Sequence, residues 1–274
     1  MSFLISAFSV AKQGGPPSEN RDATWPRFPR ASSDSPSASR FELSAAERER
    51  FIGIADGASE GVLAGPWAKI MLRAVGRSAS PVKTPQELIS GVERGISTWA
   101  KFKARRSENG NVPLTNLPTW LEDEAVLSGA FTTLCGAWII DDGTWSCVAA
   151  GDSCLFHTRH NELLRSWPLN KSDEFDNSPY LIGSENSTNA ELERHAKFTE
   201  IRPDRGDKVF FATDALAAWI LQQSERGEPP WGILAAFDPD AAPEEFTEFV
   251  EAKRDEGQMR NDDTTLLSAT FMPT

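Results

Sequence analysis

Phe51-Ile52-Gly53-Ile54-Ala55-Asp56-Gly57 is an apolar run that stops abruptly on Asp-Gly. Such a run reads as a buried strand, and the acidic turn marks where it leaves the core. Alone, an Asp-Gly pair is ordinary turn chemistry. The chain does something similar elsewhere: apolar segments run into, or start from, acidic residues at Asp22, Asp152, Asp214 and Asp262. Carboxylates gathered at strand ends repel one another unless a positive charge lies between them. A divalent metal centre is the usual solution.

Outward from that strand, Trp67, Ile70, Met71 and Ala74 share one helical face, with Pro66 near the first turn. A second helix is predicted over 85–106, its stripe formed by Leu88, Val92, Ile96, Trp99 and Phe102. A short third helix is predicted over 119–127. The tryptophans of these stripes read as core. The clearest β region follows: strands over 131–140, 145–150 and 154–158, separated by Asp141-Asp142-Gly143-Thr144 and Gly151-Asp152-Ser153. Three strands on short turns predict an antiparallel meander.

Residues 3–10 read as a first strand, broken by Gly14-Gly15-Pro16-Pro17. Residues 26–40 are rich in Pro, Ser and Arg and predict an exposed loop. Residues 166–205 are polar and irregular, as a functional or mobile segment would be. A strand over 208–212 ends on Thr213-Asp214 and continues as a helix over 215–221. Another helix is predicted over 243–252 and a last strand over 264–270. Helices between groups of antiparallel strands make an α+β pattern.

The chain has 274 residues, enough for one large domain or two small ones. Its net charge of −12 argues against nucleic acid and against an anionic membrane, because both need a basic surface. Cys135, Cys147 and Cys154 lie in strand-like segments without metal-ligand spacing. They read as buried reduced thiols, which fits a reducing compartment. The short apolar start lacks a basic flank, and no run approaches the ~18 apolar residues of a membrane span. The expected location is cytoplasmic.

Magnesium and manganese prefer oxygen ligands, and a few carboxylates with one carbonyl suffice. The Gly57 carbonyl, beside Asp56, is a candidate. Such a centre needs no Cys or His nucleophile. His157, His160 and His195 read as surface or capping residues, Asp141-Asp142 as a turn, and Glu19 and Glu60 equally as solvated surface residues or as acidic neighbours of the site.

The ordered set resembles the metal-dependent, type 2C family of Ser/Thr protein phosphatases, in a divergent bacterial form. Glu19-Asn20-Arg21-Asp22 looks like that family's Glu-Asn-Gln-Asp, and Ile54-Ala55-Asp56-Gly57 like its Val-Ala-Asp-Gly. Ser128-Gly129-Ala130-Phe131-Thr132-Thr133 and Ala150-Gly151-Asp152-Ser153 are similar to its Gly-Ser/Thr-Thr strand and its Gly-Asp-Ser turn. Gly206-Asp207-Lys208-Val209-Phe210-Phe211-Ala212-Thr213-Asp214 and Asn261-Asp262-Asp263-Thr264-Thr265 resemble its last two motifs. No single motif is specific; six in the family's order are.

The resemblance implies one type 2C phosphatase-like domain over 1–274, an αββα sandwich of two antiparallel β-sheets flanked by helices. It implies a phosphoprotein phosphatase acting on phosphoserine and phosphothreonine through a metal-activated water. Its metals would be Mg2+ or Mn2+, two ions with a third, weaker one. Asp56 would bridge two metals and Gly57 would give its carbonyl to one. Asp214 and Asp262 would complete the other metal's shell, Asp152 with Asp214 would support the third ion, and Asp22 would hold metal-bound waters. Asp22, Asp56, Asp214 and Asp262 would thus carry catalysis. Residues 166–205 would be a flap over protein substrates, with a phosphoprotein, a Ser/Thr kinase or its target as partner.

Three departures stand out. Thr213-Asp214-Ala215 replaces Ser-Asp-Gly, so the turn must fit a Cβ. Pro16-Pro17-Ser18 occupies the region where the family carries a phosphate-holding Arg, leaving Arg21 as the candidate. Ala58 replaces a His found in eukaryotic members. A catalytically weak or inactive relative, acting as a phosphoprotein- or kinase-binding regulator, is the alternative. A hydrolase of small phosphoesters is a third reading.

Overall fold

A computed structural model describes residues 2–14, 20–26, 37–44, 51–58, 63–108, 129–176 and 178–272. The helix expected over 119–127, Pro16-Pro17-Ser18, Glu19, Glu60, Ser128 and most of the loop expected over 26–40 lie outside those residues.

Two antiparallel sheets face each other. The first has six strands in the order β3-β1-β13-β12-β8-β9: β1 is Ser2–Val10, β3 Ser37–Ser44, β8 Cys154–Arg159, β9 Glu162–Trp167, β12 Lys208–Ala212 and β13 Thr264–Phe271. The second has five in the order β11-β7-β6-β4-β2: β2 is Ala23–Trp25, β4 Phe51–Ala55, β6 Leu134–Ile139, β7 Trp145–Ala150 and β11 Lys197–Ile201. A short pair joins β5 (Phe131–Thr132) to β10 (Ile182–Gly183).

The layers follow from which faces are apolar. Ile52, Ile54, Cys135, Cys147, Leu155, Phe211 and Leu267 pack together between the sheets. On the outer face of the five-stranded sheet, α1 (Ala64–Gly76) buries Trp67, Ala68, Met71, Leu72 and Val75. α2 (Pro85–Glu108) lies against it. α2 starts where Thr84 and Glu87 form a reciprocal cap. Glu87 Oε2 accepts from the backbone N–H of Lys83 and Thr84 at 2.8 and 3.0 Å, and Glu87 N–H donates to Thr84 Oγ1. Pro85, which needs no donor partner, takes the first helical position. α3 (Leu192–His195) is a single turn near α2. Residues of α4 (Asp214–Glu225), α5 (Trp231–Ala236) and α6 (Glu245–Asp255) pack with the outer face of the six-stranded sheet. The result is the expected α+β architecture, an αββα sandwich.

Four sequence expectations need correction. The meander does not hold: β6 and β7 pair with each other, but Gly151-Asp152-Ser153 carries the chain across to β8 in the opposite sheet. A short turn and a short crossover look alike in sequence; Gly151, at φ +100°, makes the crossing. Residues 37–40, expected as loop, belong to β3, and residues 197–201, expected as flap, form β11. Both are edge strands, whose solvent-facing side chains give a polar composition. His157, expected at the surface, is buried, with Nε2 2.7 Å from Asp207 Oδ2; Arg159 Nε donates to the same carboxylate at 2.8 Å. The three cysteines are buried free thiols, as expected, and burial pushes each thiol up.

Candidate metal centre

Strand register brings the five aspartates to one end of the sandwich. Ala23 pairs with Ala55, so Asp22 and Asp56, each one residue beyond, are neighbours. Leu134 pairs with Ala150, which puts Thr133 beside the Gly151-Asp152 crossing. Cys154 pairs with Ala212, and Ala212 with Leu266, so Asp152, Asp214 and Asp262 emerge at the same end of the six-stranded sheet.

Local bonds hold the main chain at Asp56 and the carboxylates of Asp22 and Asp214. Asp56 N–H donates to Thr133 Oγ1 at 3.0 Å, and the Asp56 carbonyl accepts from Thr132 Oγ1 and Thr133 N–H, both at 2.8 Å. Thr213 Oγ1 donates to Asp22 Oδ2 at 3.1 Å. Asp214 opens α4, and its Oδ1 accepts from Ala215 N–H at 2.5 Å. Ala215 is helical, so its Cβ meets no strained turn, and the departure from Gly is absorbed. Gly57 allows no side chain: a Cβ there would lie 2.8 Å from the Arg21 carbonyl oxygen and 2.9 Å from the Ala64 carbonyl carbon.

The electrostatics show an unneutralised acidic cluster. Burial, then the Asp263 charge, raises Asp22 to about 7. Burial, then Asp22, Asp152 and Asp262, hold Asp56 well above the carboxylate range. Burial raises Asp152 to about 6. Asp22 Oδ1 and Asp152 Oδ1 are buried and lack hydrogen-bond partners. Hard oxygen donors, orphaned and mutually repelling, suit Mg2+ or Mn2+.

The cluster is not closed as it stands. Among the described residues, no three His, Cys, Asp or Glu side chains are gathered tightly enough to hold an ion. Arg260 stands among them: its guanidinium bonds Asp214 Oδ2 and lies 3.9 Å from Asp262 Oδ2, so a positive charge already faces part of the cluster.

Sequence reasoning missed several supporting residues. Asp263 fixes the first motif, accepting from Arg21 N–H at 2.7 Å and Lys12 N–H at 2.9 Å. Arg254 is buried and clamps the Asp262 loop, donating to the carbonyls of Asp262 and Ala11 and to Thr264 Oγ1. A signal existed: Phe246, Val250 and Arg254 follow one another at four-residue spacing, which puts an arginine on the buried stripe of α6. Arg21 is held by its backbone, and its Nη1 is buried without a partner.

The segment expected as a flap runs beside this end. Its charge at Asp176 reaches Asp152. The segment is anchored at Ile182, whose carbonyl accepts from Trp67 Nε1 at 2.9 Å.

Solved structures share this arrangement of sheets and helices across their length. The Mycobacterium tuberculosis serine/threonine phosphatase PstP/Ppp matches with a TM-score of 0.60 and 15% identity over 100% of both chains. This is the type 2C phosphatase fold. A catalytic domain of PstP in complex with two manganese ions shares it, with a TM-score of 0.55 and 14% identity over 98% of this chain and 99% of that one. So does Stp1 from Staphylococcus aureus, with a TM-score of 0.55 and 10% identity over 98% and 95% of the two chains. No protein-family model and no curated protein matches the sequence. The five aspartates thus stand on a type 2C fold in a chain whose sequence has diverged far from these structures. Among the described residues, no helix is long and apolar enough to cross a membrane.

Proposed function

We propose that the protein is a metal-dependent phosphoprotein phosphatase acting on phosphoserine and phosphothreonine, a single type 2C domain over its whole length. One observation carries the reading: five aspartates from distant motifs meet at one end of a type 2C fold, and the buried Asp22 Oδ1 and Asp152 Oδ1 among them lack hydrogen-bond partners. Asp22, Asp56, Asp152, Asp214, Asp262 and the Gly57 carbonyl would hold two Mg2+ or Mn2+ ions and a weaker third. Bound there, the ions would supply an activated water and screen phosphate charge.

The chain's own residues would do the rest. Thr132 and Thr133 fix the main chain at Asp56, while Asp263 and Arg254 fix the loops carrying Arg21 and Asp262. The unpartnered Nη1 of Arg21 suits a phosphate oxygen. The 168–196 stretch would form a flap touching the protein substrate. The acidic surface fits a cytoplasmic signalling protein that meets a phosphoprotein, a Ser/Thr kinase or its target, and not nucleic acid or membrane.

Hydrolysis of a phosphothreonine peptide and of an aryl phosphate with added Mn2+ tests this. Turnover lost in Asp56→Ala and Asp214→Asn is expected. Equal turnover in wild type and both variants would overturn it. The bond from Arg260 to Asp214 favours the second reading, a weak or inactive relative that regulates by binding. Mn2+ uptake without turnover would select that one.

A further inference from the structure

Arg260 is the unusual cation of this site. Arg254 is buried and committed to carbonyls and a hydroxyl. Arg260, by contrast, keeps 48% of its side chain exposed while touching Asp214. Its charge reaches Asp152 as well. It also forms one wall of a cleft of about 210 Å³ that opens beside Asp214, with Ser172, Ala215, Trp219 and Met259. The guanidinium therefore stands between the carboxylates and open space. Its present partner is a carboxylate that a divalent ion would claim. The planar donor fork that fits a carboxylate fits a phosphate equally well.

We propose that Arg260 grips the substrate phosphate in this site, and that it is held on Asp214 until a divalent ion takes that carboxylate. The identity of the anion rests on the phosphatase reading; the exchange of partners does not require turnover. Two effects of opposite sign follow. Removing the guanidinium frees Asp214, so metal binding tightens. Removing it also takes a donor pair from phosphate, so phosphate binding weakens. Arg21, whose Nη1 has no carboxylate partner, would affect phosphate alone.

Calorimetric titration of the full chain separates these effects. Mn2+ is titrated into metal-free wild type, Arg260→Ala, Arg260→Lys and Arg21→Ala. Inorganic phosphate is then titrated into the Mn2+-saturated proteins. Arg260→Ala should bind Mn2+ roughly tenfold more tightly and phosphate roughly tenfold more weakly, the loss of a charge-assisted pair. Arg260→Lys should recover phosphate binding only in part, because an ammonium keeps the charge without the fork. Arg21→Ala should leave Mn2+ affinity unchanged. Unchanged or weaker Mn2+ binding by Arg260→Ala overturns the exchange, and unchanged phosphate binding overturns the grip. A wild type that takes up neither ion overturns both. Both shifts without peptide hydrolysis would defeat the phosphatase reading and leave the role of Arg260 standing.

Discussion

Asp22 and Asp152 carry folded-state values of about 7 and about 6, above the ordinary 3.8. As pH rises from about 4 to 7, the folded protein must give up protons that the unfolded chain has already released. The contribution of these groups to stability is therefore fully present at low pH and lost as pH passes their folded values. The urea midpoint of the metal-free protein should fall between about pH 4 and pH 7, and Asp22→Asn should flatten that decline. A midpoint that rises over this window in wild type would refute the reading of Asp22. Gly57→Ala acts through sterics instead. Its Cβ would press on the backbone of Arg21 and Ala64, which cannot rotate away. A loss of about 1–3 kcal/mol is expected in urea titration. At this scale the sequence was informative where backbone geometry limits residue choice, as at Asp56-Gly57. It was silent on Arg260 and Asp263, because pairing across the site depends on which loops meet.

Elements with a clear apolar pattern were legible: α1 and α2 by a helical stripe, and β4, β7 and β12 as continuous apolar runs buried on both faces. The edge strands β3 and β11 were not, because one side of each lacks a strand partner and polar residues are tolerated. Nor was the crossing at Gly151-Asp152-Ser153, since the choice of sheet is settled by the opposing faces and not by the turn. The anchoring of β10 belongs to this scale too. Trp67 is buried in α1 and reaches across to the Ile182 carbonyl. Trp67→Phe keeps most of the apolar contact and removes the donor. Global stability should fall by about 1 kcal/mol. Hydrogen exchange over 178–190 should accelerate while β6 stays protected. Equal exchange in variant and wild type would show that packing alone fixes the segment.

Across the molecule, the two sheets are assembled from strands far apart in sequence, and their ends create an acidic focus that Arg260 compensates only in part. The overall sandwich could be anticipated only through the order of the acidic motifs, because strand order and register are properties of long-range pairing. If the proposed ions bind there, their binding is coupled to global stability. An ion that binds only the folded chain stabilises it by about 2.7 kcal/mol at a hundredfold excess over its dissociation constant. For a chain of this size, that is a thermal midpoint shift of roughly 5–10 °C. Mn2+ should produce such a shift, saturating with concentration and reversed by chelator. Asp56→Asn should behave oppositely in its two states. Without metal it removes a carboxyl whose ionisation burial, then Asp22, Asp152 and Asp262, oppose, so its midpoint should equal or exceed that of wild type. With Mn2+ it should gain little, having lost the ligand proposed to lie at the centre. Scanning calorimetry with and without Mn2+ reads both. A metal-free Asp56→Asn that is markedly less stable than wild type would mean that Asp56 serves the fold. A variant retaining the full Mn2+ shift would place the ion elsewhere.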